Sequence, residues 1–566
     1  MKSISGKNWE EVNISKRLLE KVSFDHNFSI FQSKHIISNK FSNEEIYSIN
    51  NNLNFKNPFF KNRDFLLGCA LLKDHICKKN EILVIGDYDV DGCVSTSLMV
   101  NFLIKCKANV SYYIPDRIKD GYGADKVSID RLVKRKKPKL VIFLDCGSNS
   151  HETLKFLENI RIQVLIIDHH NIQKKDELNH ILINPKKNSS YKYFDHLCSS
   201  FLTYLFLEIY IELNKLKLKI KDELIYVLLA TITDIMPLRG INRLLSINLL
   251  KNFNINNNFI FDNLFKLHNI KKKIELDDLG FFIGPILNSA GRLENANQVV
   301  ELLTIKSKPK ILQILKNIYK LNLRRKVIEN RYLNNINFKF IDKQKGVIFI
   351  YEPNIPEGII GIIAAKIKEY YDKPCMVFTD GPKSLKGSAR STSNFNIGEY
   401  INEALKLNLI LSGGGHNLAA GVTLSKKNLD LFKKFLDKFY KQNKKINFNE
   451  FNSRISLSAI DINFAKDIKI LGPFGNKNTN PIFLIENIRF VNSSILKDRF
   501  VSCYIKSNNK MIRAISFHHI KSKINYEILN SKKKYNVLVK VKENKWNNKT
   551  SVQLEIIDII KSINNT

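Results

Sequence analysis

Three short apolar runs restrict the fold of this chain more than any other feature. The runs are ILVIG at 82–86, KLVIFL at 139–144 and QVLII at 163–167. They are nearly continuous and rich in β-branched residues, which is typical of strands buried on both faces of a parallel sheet. Helical patterns separate them, and such alternation indicates βαβ units. The sequence therefore predicts a doubly wound α/β domain.

An acidic or histidine motif follows each run, and a further Asp lies in a later apolar helix. The motif residues are Asp87, Asp89 and Asp91 in GDYDVDG, Asp145 in IFLDCGS, Asp168, His169 and His170 in LIIDHH, and Asp234 in TITDIMP. Ligands of open α/β sheets bind beyond the carboxyl ends of the strands, so we expect these side chains to converge there. A lone Asp at a strand end often only caps the next helix, but four spaced motifs make capping alone a poor explanation.

These residue types suit a pair of divalent cations. Two such ions need several anionic oxygens, at least one of them bridging, and they lower the pKa of a bound water while clamping a phosphate. An imidazole among oxygen ligands fits Mn²⁺ as well as Mg²⁺, so we expect two ions of one of these metals. The predicted ligands are Asp89, Asp91, Asp145, His169 and Asp234. We expect Asp145 to contact both ions, and Asp87 to be either a ligand or an acceptor that orients one.

The ordered motifs resemble the DHH phosphoesterase superfamily, and further motifs are similar to the RecJ family of single-strand-specific exonucleases. The further motifs are PDRIKDGYG at 115–123, LNSAGRLENA at 287–296, PEGIIGIIAAKI at 356–367, LKGSARS at 385–391, LSGGGHNLAAG at 411–421 and LGPFGNKNTNPIF at 471–483. The resemblance spans about residues 50 to 560. One departure is Lys477, where the family usually has Gly, and it leaves the local turn undetermined.

The resemblance and the residue patterns together predict the domain organisation. The predicted parts are a polar lead-in of unassigned function at 1–50, a DHH catalytic domain at 51–307, a connecting helix at 308–344, a DHHA1 α/β domain at 345–445 and an OB-like β-barrel at 450–566. The connecting segment is amphipathic and lacks Gly, which favours a long helix. Five alternating apolar segments after residue 480 fit a barrel that binds single strands, with Phe474, Tyr504, Phe517 and Trp546 as candidate aromatic contacts.

The resemblance also implies roles for individual residues. His170 and Asp87 are the expected catalytic residues, and His170 is expected to contact the scissile phosphate or to assist proton transfer. Asp168 either holds the following histidine by hydrogen bonding or simply ends its strand. In the family the DHHA1 domain faces the metals across a cleft, and we interpret SGGGH as a glycine loop there that approaches a ligand closely. The expected nucleic-acid-binding residues are Arg117, Asn288, Ser289, Arg292, Ser388, Arg390, Gly414, Gly415 and His416.

Composition agrees with a large enzyme that handles a polyanion. The 566 residues include 90 Lys and Arg against 54 Asp and Glu, a formal net charge of +36. This balance favours nucleic acid as a partner, although abundant Lys, Asn and Ile also indicate an AT-rich genome. The eight cysteines form no CxxC pair, which argues against a zinc ribbon or a disulfide framework. No run is long enough to span a membrane and no signal peptide is evident, so we expect a cytoplasmic protein.

The expected activity is metal-dependent hydrolysis of single-stranded DNA from the 5′ end to 5′-mononucleotides, in recombination and repair. The resemblance implies single-stranded DNA as the partner, with a single-strand-binding protein and a helicase as further partners of a monomer. Two alternatives stay open: a DHH phosphodiesterase of cyclic dinucleotides or oligoribonucleotides, and an inactive DNA-binding scaffold of the kind represented by the eukaryotic replication protein Cdc45. The long C-terminal segment argues against the first alternative, and the complete set of carboxylates argues against the second.

Overall fold

The described residues form two compact units. The computed structural model describes residues 1–51, 53–117, 125–172, 179–187, 193–442, 448–497, 500–546 and 549–562. One unit, here called the sheet unit, comprises Asn52–Ile336 and Pro356–Ile359. The other, the barrel unit, comprises Met1–Asn51, Asn337–Ile355 and Ile360–Thr566.

Residues 1–51 form one strand and three helices within the barrel unit. These elements are β1 (Asn8–Glu11), α1 (Lys16–His26), α2 (Ile30–Ser38) and α3 (Asn43–Asn50). Both α2 and α3 begin with a capping box, in which Ser29 pairs with Gln32 and Ser42 with Glu45. Each capping box satisfies two main-chain groups that would otherwise lack partners at a helix start.

The sheet unit contains a five-stranded, fully parallel sheet. Its strands are β2 (Ile82–Gly86), β3 (Val110–Tyr113), β4 (Leu140–Leu144), β5 (Gln163–Ile167) and β6 (Ile181–Ile183), in the order β3-β2-β4-β5-β6. Every residue of β2 and β4 is buried, as their apolar sequences predict. The order of the strands reverses between β2 and β4, which makes the gap beyond those two strands a topological switch point.

Helices cover this sheet and extend beyond it. They are α4 (Arg63–Cys77), α5 (Val90–Lys105), α6 (Lys126–Lys136), α7 (His151–Asn159), α8 (Ser199–Leu213), α9 (Leu224–Thr233), α10 (Gly240–Asn252), α11 (Phe259–Leu267), α12 (Leu276–Asp278), α13 (Gly284–Leu293), α14 (Asn297–Thr304) and α15 (Lys308–Asn335). The predicted connecting helix is α15, which ends at Asn335, before the predicted boundary at residue 344. Its apolar residues pack into the same core as α5, α8 and α9.

The α/β part of the barrel unit has a mixed sheet. Its elements are α16 (Phe338–Asp342), β7 (Ile348–Tyr351), α17 (Glu357–Tyr371), β8 (Cys375–Asp380), β9 (Leu385–Arg390), α18 (Ile397–Lys406), β10 (Ser412–His416), β11 (Ala419–Leu424) and α19 (Leu429–Gln442). The strand order is β10-β11-β9-β8-β7, with only the β7–β8 pair parallel. The prediction of a glycine loop at SGGGH is wrong, because these residues are the edge strand β10, paired residue by residue with β11.

The C-terminal part is a closed five-stranded barrel, as predicted. Its elements are β12 (Phe448–Phe451), β13 (Ser453–Arg454), α20 (Ile462–Lys469), β14 (Phe483–Leu496), β15 (Phe500–Ser507), β16 (Lys510–Ser516), α21 (Lys523–Asn530), β17 (Tyr535–Trp546) and β18 (Lys549–Lys561). Pairing of β14 with both β15 and β17 closes the barrel. Lys477 adopts φ 62°, so the turn in this chain keeps the left-handed backbone that a Gly would adopt most easily.

The N-terminal segment belongs structurally to the barrel. Strand β1 pairs in parallel with β12, and Trp9 packs with Phe451 and Leu538. The Trp9 Nε1–H donates to Oδ2 of the buried Asp558 over 3.0 Å, and the Ser5 hydroxyl donates to the same oxygen over 2.6 Å. The lead-in, for which the sequence suggested no role, thus completes the packing of the barrel.

Two further expectations concern membranes and cysteines. Among the described residues, no helix combines the length and the apolarity that a bilayer crossing requires. None of the eight cysteines forms a disulfide, and Cys93 and Cys146 are buried. These two thiols are packing groups beneath the acidic motifs.

We expect Trp9→Ala to destabilise the barrel unit. The side chain is 4% exposed, and truncating a buried Trp typically costs about 3–5 kcal/mol. The urea midpoint of the barrel transition, followed by circular dichroism, should fall clearly. Leu18→Ala on α1 is the control, because Leu18 is 42% exposed and should change stability by less than about 0.5 kcal/mol. Equal midpoints for both variants would mean that the lead-in does not support the barrel.

Candidate metal centre

The acidic motifs converge beyond the carboxyl ends of β2, β4 and β5. Asp87 follows β2, Asp145 follows β4 and Asp168 follows β5. Asp234 is not inside a helix as expected, but is the C-cap of α9. The cluster therefore lies at the switch point of the sheet, where the sequence predicted a ligand site.

The start of α5 holds two of the predicted ligands. Asp89 is the N-cap of α5, and its Oδ1 accepts from the Gly92 N–H over 3.0 Å. Asp91, in the first turn, is buried, and its Oδ2 and Oδ1 accept from the main-chain N–H groups of Ser199 and Ser200, each over 2.8 Å. The first turn of α8 thus satisfies both oxygens of Asp91, as helix N-termini favour anions.

Asp145 has an unusual backbone and a side-chain donor of its own. Its φ is 62°, and its N–H donates to the Ile167 carbonyl over 3.0 Å, which ties it to the neighbouring strand end. Its Oδ1 accepts from the Ser199 hydroxyl over 2.9 Å. A non-glycine residue in the left-handed region costs free energy, and such residues cluster at functional sites.

The two adjacent histidines have opposite protonation tendencies. Burial, followed by the charge of His170, lowers the pKa of His169 to about 4, so its ring is neutral and suited to bind a metal. Burial alone would lower the pKa of His170, but the hydrogen bond and the charge of Asp168 outweigh it and raise that pKa to about 9. The hydrogen bond joins His170 Nδ1 to Asp168 Oδ1 over 2.8 Å.

Asp168 anchors this motif. Its Oδ1 also accepts from the main-chain N–H groups of His169 and His170, and its Oδ2 accepts from the Ser148 N–H. Burial raises the pKa of Asp168, but its hydrogen bond to His170 and the charges of both histidines outweigh this and hold the pKa well below its usual range. Of the two roles considered for Asp168, the geometry has it holding His170.

Among the described residues, three groups of ligand atoms lie close enough together to bind a cation. Within each group the ligand atoms lie within 4.8 Å of one another. The groups are Asp91, His169 and Asp234; Asp87, Asp89 and Asp145; and Asp145, His169 and His170. Asp145 belongs to two groups. His169 Nε2 lies 3.3 Å from Asp145 Oδ1, 3.4 Å from Asp234 Oδ2 and 3.9 Å from Asp91 Oδ2, separations that suit neighbouring ligands of one cation.

The electrostatics of the cluster also fit bound cations. Burial, then the charge of Asp89, raises the pKa of Asp87 to about 8. Burial and neighbouring carboxylates raise the pKa values of Asp145 and Asp234 well above their usual range, with Asp91 the largest charge contribution to both. Within the described part of the chain, the buried Oδ1 of Asp87 has no hydrogen-bond partner. Divalent cations would satisfy this oxygen and offset the repulsion.

Arg117 is the predicted phosphate-binding residue beside the cluster. Its guanidinium lies 5.1 Å from the centre of the Tyr88 ring, and its charge acts on the pKa of Asp87. The rest of its motif, residues 118–123, lies outside the described residues. Arg117 is therefore placed next to the first acidic motif.

The predicted binding residues of the LNSAGRLENA motif lie in different surroundings. Asn288 Oδ1 accepts from the Val90 N–H over 3.2 Å, and Arg292 Nη1 donates to the Gly358 carbonyl over 3.1 Å. Ser289, however, is 0% exposed, and its hydroxyl contacts the carbonyls of Ile286 and Ile318. The expected contact of Ser289 with nucleic acid is wrong, because the residue packs α13 against α15.

The remaining predicted residues lie on two strands of the mixed sheet, the central strand β9 and the edge strand β10. Arg390 Nη1 donates to the Ser388 hydroxyl over 3.1 Å and to the Ala389 carbonyl over 2.8 Å on β9. Gly414, Gly415 and His416 are on β10, where Gly415 and His416 are exposed. Their roles in binding nucleic acid stay predictions.

Sequence reasoning missed Ser199 and Ser200. The serines directly precede the apolar segment FLTYLFLEIYIEL, a pattern that indicates a helix start. Nothing in the pattern connects that helix start to Asp91 and Asp145, which are more than 50 residues away. Only the fold brings them together.

Comparison with known families resolves the organisation of the chain. Residues 81–232 match the N-terminal domain of the DHH family, and residues 344–442 match the DHHA1 domain. Residues 451–558 match the RecJ OB domain. The chain thus carries a DHH domain, a DHHA1 domain and a RecJ OB domain, in that order.

Individual relatives agree with this assignment. The single-stranded-DNA-specific exonuclease RecJ of Bacillus subtilis is 27% identical over 503 residues, covering 86% of this chain but only 62% of the relative. RecJ of Escherichia coli is 27% identical over 433 residues, covering 71% and 74% respectively. The structure of Thermus thermophilus RecJ in complex with Mn²⁺ has a TM-score of 0.81 at 21% identity, covering 98% of this chain and 80% of that one, and it shows the shared fold.

We expect Asp145→Asn to weaken metal binding without harming the metal-free fold. The variant removes one buried charge, so in EDTA its melting temperature should equal or exceed that of the wild type. With Mn²⁺ the wild type should gain stability by mass action and the variant should gain less. Asp130→Asn in the exposed Lys134 ion pair is the control and should respond as the wild type does. An equal Mn²⁺ response in Asp145→Asn would exclude Asp145 as a ligand.

Proposed function

We propose that this chain is a metal-dependent exonuclease that degrades single-stranded DNA in the 5′-to-3′ direction and releases 5′-mononucleotides, in recombination and repair. One observation carries the proposal: two groups of ligand atoms share Asp145 at the switch point of the sheet. The RecJ-type barrel in the same chain supports a single-stranded substrate, as do relatives named for that activity.

The residues present fit two divalent cations. Asp89, Asp91, Asp145, His169 and Asp234 would hold them, with Asp87 as a sixth ligand or as an acceptor that orients one. A ligand set of carboxylate oxygens and one neutral imidazole favours Mn²⁺ or Mg²⁺. When bound, such ions generate a nucleophilic water and stabilise the charge on the phosphate.

His170 supplies the proton chemistry. Asp168 holds its Nδ1 and keeps the ring cationic near neutral pH, so Nε2–H can donate to a phosphate oxygen or to the leaving 3′-oxygen. In the reaction a water oxygen bonds to phosphorus, the bond from phosphorus to the 3′-oxygen breaks, and that oxygen takes a proton. The remaining strand then carries a new 5′-phosphate, ready for the next cycle.

The outer face of β15 and β16 suits a single strand. Tyr504 is 37% exposed and opposes Arg513 across the strands, while Lys506 and Met511 form the next exposed pair. Bases stack on aromatic rings, and cationic side chains bind the backbone of single-stranded DNA. Phe517 is 54% exposed beside Phe500, whereas Phe474 packs against His35 inside the unit; the Trp546 side chain lies outside the described residues.

Further partners follow from a substrate that must be single-stranded. Duplex DNA has to be opened before such an enzyme acts, so a helicase and a single-strand-binding protein are the expected suppliers of the strand. We propose that the chain works with them as a monomer in the cytoplasm.

End-labelled substrates test the proposed function. With Mn²⁺, a strand labelled on its 5′-phosphate should yield labelled mononucleotide from the first cycle, whereas a 3′-labelled strand should shorten progressively. RNA and cyclic dinucleotides should be poor substrates, and Asp145→Asn should be inactive. Preferred cleavage of cyclic dinucleotides or oligoribonucleotides would overturn the proposal, and DNA binding without any cleavage would favour a scaffold.

We expect Arg117→Ala to reduce the preference for a 5′-phosphorylated strand. A guanidinium beside the acidic cluster can bind a terminal phosphate through two hydrogen bonds. Loss of charge-assisted hydrogen bonds should lower kcat/KM on the phosphorylated strand about 10- to 100-fold, and much less on a 5′-hydroxyl strand. Arg131→Ala on α6, an exposed arginine of the same unit, is the control.

Two other outcomes would locate the terminal phosphate elsewhere. An equal loss on both substrates would place Arg117 at the scissile phosphate. An undiminished preference would assign the terminus to other residues, of which Arg390 is the next candidate. The same measurement on Arg390→Ala tests whether Arg390 binds the terminal phosphate.

A further inference from the structure

Ser199 contacts carboxylates of two different motifs. It is the first residue of α8 and is 0% exposed. Its N–H donates to Asp91 Oδ2 over 2.8 Å, and its hydroxyl donates to Asp145 Oδ1 over 2.9 Å. These are the same two oxygens that lie nearest to His169 Nε2 in the Asp91 and Asp145 side chains. One buried residue therefore touches predicted ligands from two different ligand groups that share His169.

The two contacts differ in which residue types could make them. Any residue except proline could supply the N–H to Asp91. Only a side chain with a hydroxyl of this length can donate to Asp145 from this position. The second contact is thus specific to the residue type.

Helix capping does not explain the serine. A capping hydroxyl accepts hydrogen bonds from the N–H groups of its own helix, and it belongs to the residue before the helix. The N-cap of α8 is Cys198, which makes no side-chain capping bond. The Ser199 hydroxyl instead points away from its own helix backbone to Asp145.

We propose that Ser199 is a positioning residue of the metal centre, which fixes the rotation of the Asp145 carboxylate so that Oδ1 faces the ligand group of His169. The inference rests on the proposed metal-dependent function. The terminal torsion of an Asp side chain is broad, so an unsupported carboxylate would sample several orientations. Asp145 is shared by two ligand groups, which makes its orientation matter for both.

The expected effect is on metal affinity more than on folding. Loss of an outer hydrogen-bond partner typically lowers metal affinity by about 10- to 100-fold. Ser199→Ala keeps the N–H to Asp91 and removes only the hydroxyl. The variant should therefore bind one of the two ions more weakly, while the other ion still binds with its normal affinity.

Calorimetric titration of the full chain with Mn²⁺, without DNA, tests this directly. The wild type should bind two ions, and Ser199→Ala should bind one of them about 10-fold more weakly or worse. Ser97→Ala is the matched control, because Ser97 is also buried and donates its hydroxyl to the Cys93 carbonyl over 2.7 Å on α5. It should bind both ions as the wild type does. The melting temperatures of the two variants in EDTA should fall by similar amounts.

A second comparison isolates the hydroxyl. Thr and Val have nearly the same shape, so Ser199→Thr should retain both ions and Ser199→Val should lose affinity for one, even if the alanine variant folds poorly. Cleavage by Ser199→Ala should be reduced at limiting Mn²⁺ and recover at high Mn²⁺. Wild-type affinities for both ions in the alanine and valine variants would overturn the inference. Failure of the wild type itself to bind Mn²⁺ would instead overturn the proposed function.

Discussion

Mutual repulsion among buried carboxylates is the main constraint on the edge of the sheet where the acidic motifs meet. Asp87, Asp91 and Asp145 are all buried at one edge of the sheet, and burial together with neighbouring charges raises the pKa values of Asp87 and Asp145. Two features of the fold stabilise this group of carboxylates. The first turn of α8 donates main-chain hydrogen bonds to Asp91. Asp145 has a left-handed backbone, and its N–H donates a hydrogen bond to β5. Both lie beyond the strand ends, where the sheet order reverses.

The same surroundings give two neighbouring histidines different chemistry. His169 is buried among ligand oxygens and stays neutral, whereas His170 is bonded to Asp168 and stays cationic. A neutral imidazole can bind a metal, and a cationic one can donate a proton or bind phosphate. Asp168 therefore sets the protonation of His170, although it belongs to none of the ligand groups within the described residues.

Local patterns in the sequence predicted most of the fold. The β-branched runs correctly located β2, β4 and β5, and alternating segments located the five barrel strands. These predictions succeed because burial of one or both faces of a strand restricts the residue types along it. The glycines of β10 leave no such trace, since that strand is defined by its pairing with β11. Ser199, Ser289 and the lead-in were misjudged or missed for a related reason: their partners are distant in sequence, and no local pattern encodes them.

Pairing of the lead-in with the barrel has a consequence for synthesis. Trp9 and its hydrogen-bond partner Asp558 are separated by 549 residues. At a synthesis rate of roughly 5–20 residues per second, Asp558 is made on the order of half a minute to two minutes after Trp9. During that interval its apolar face is uncovered on the ribosome-bound chain. The packing of Trp9 in the barrel unit can therefore be completed only after Asp558 has been synthesised.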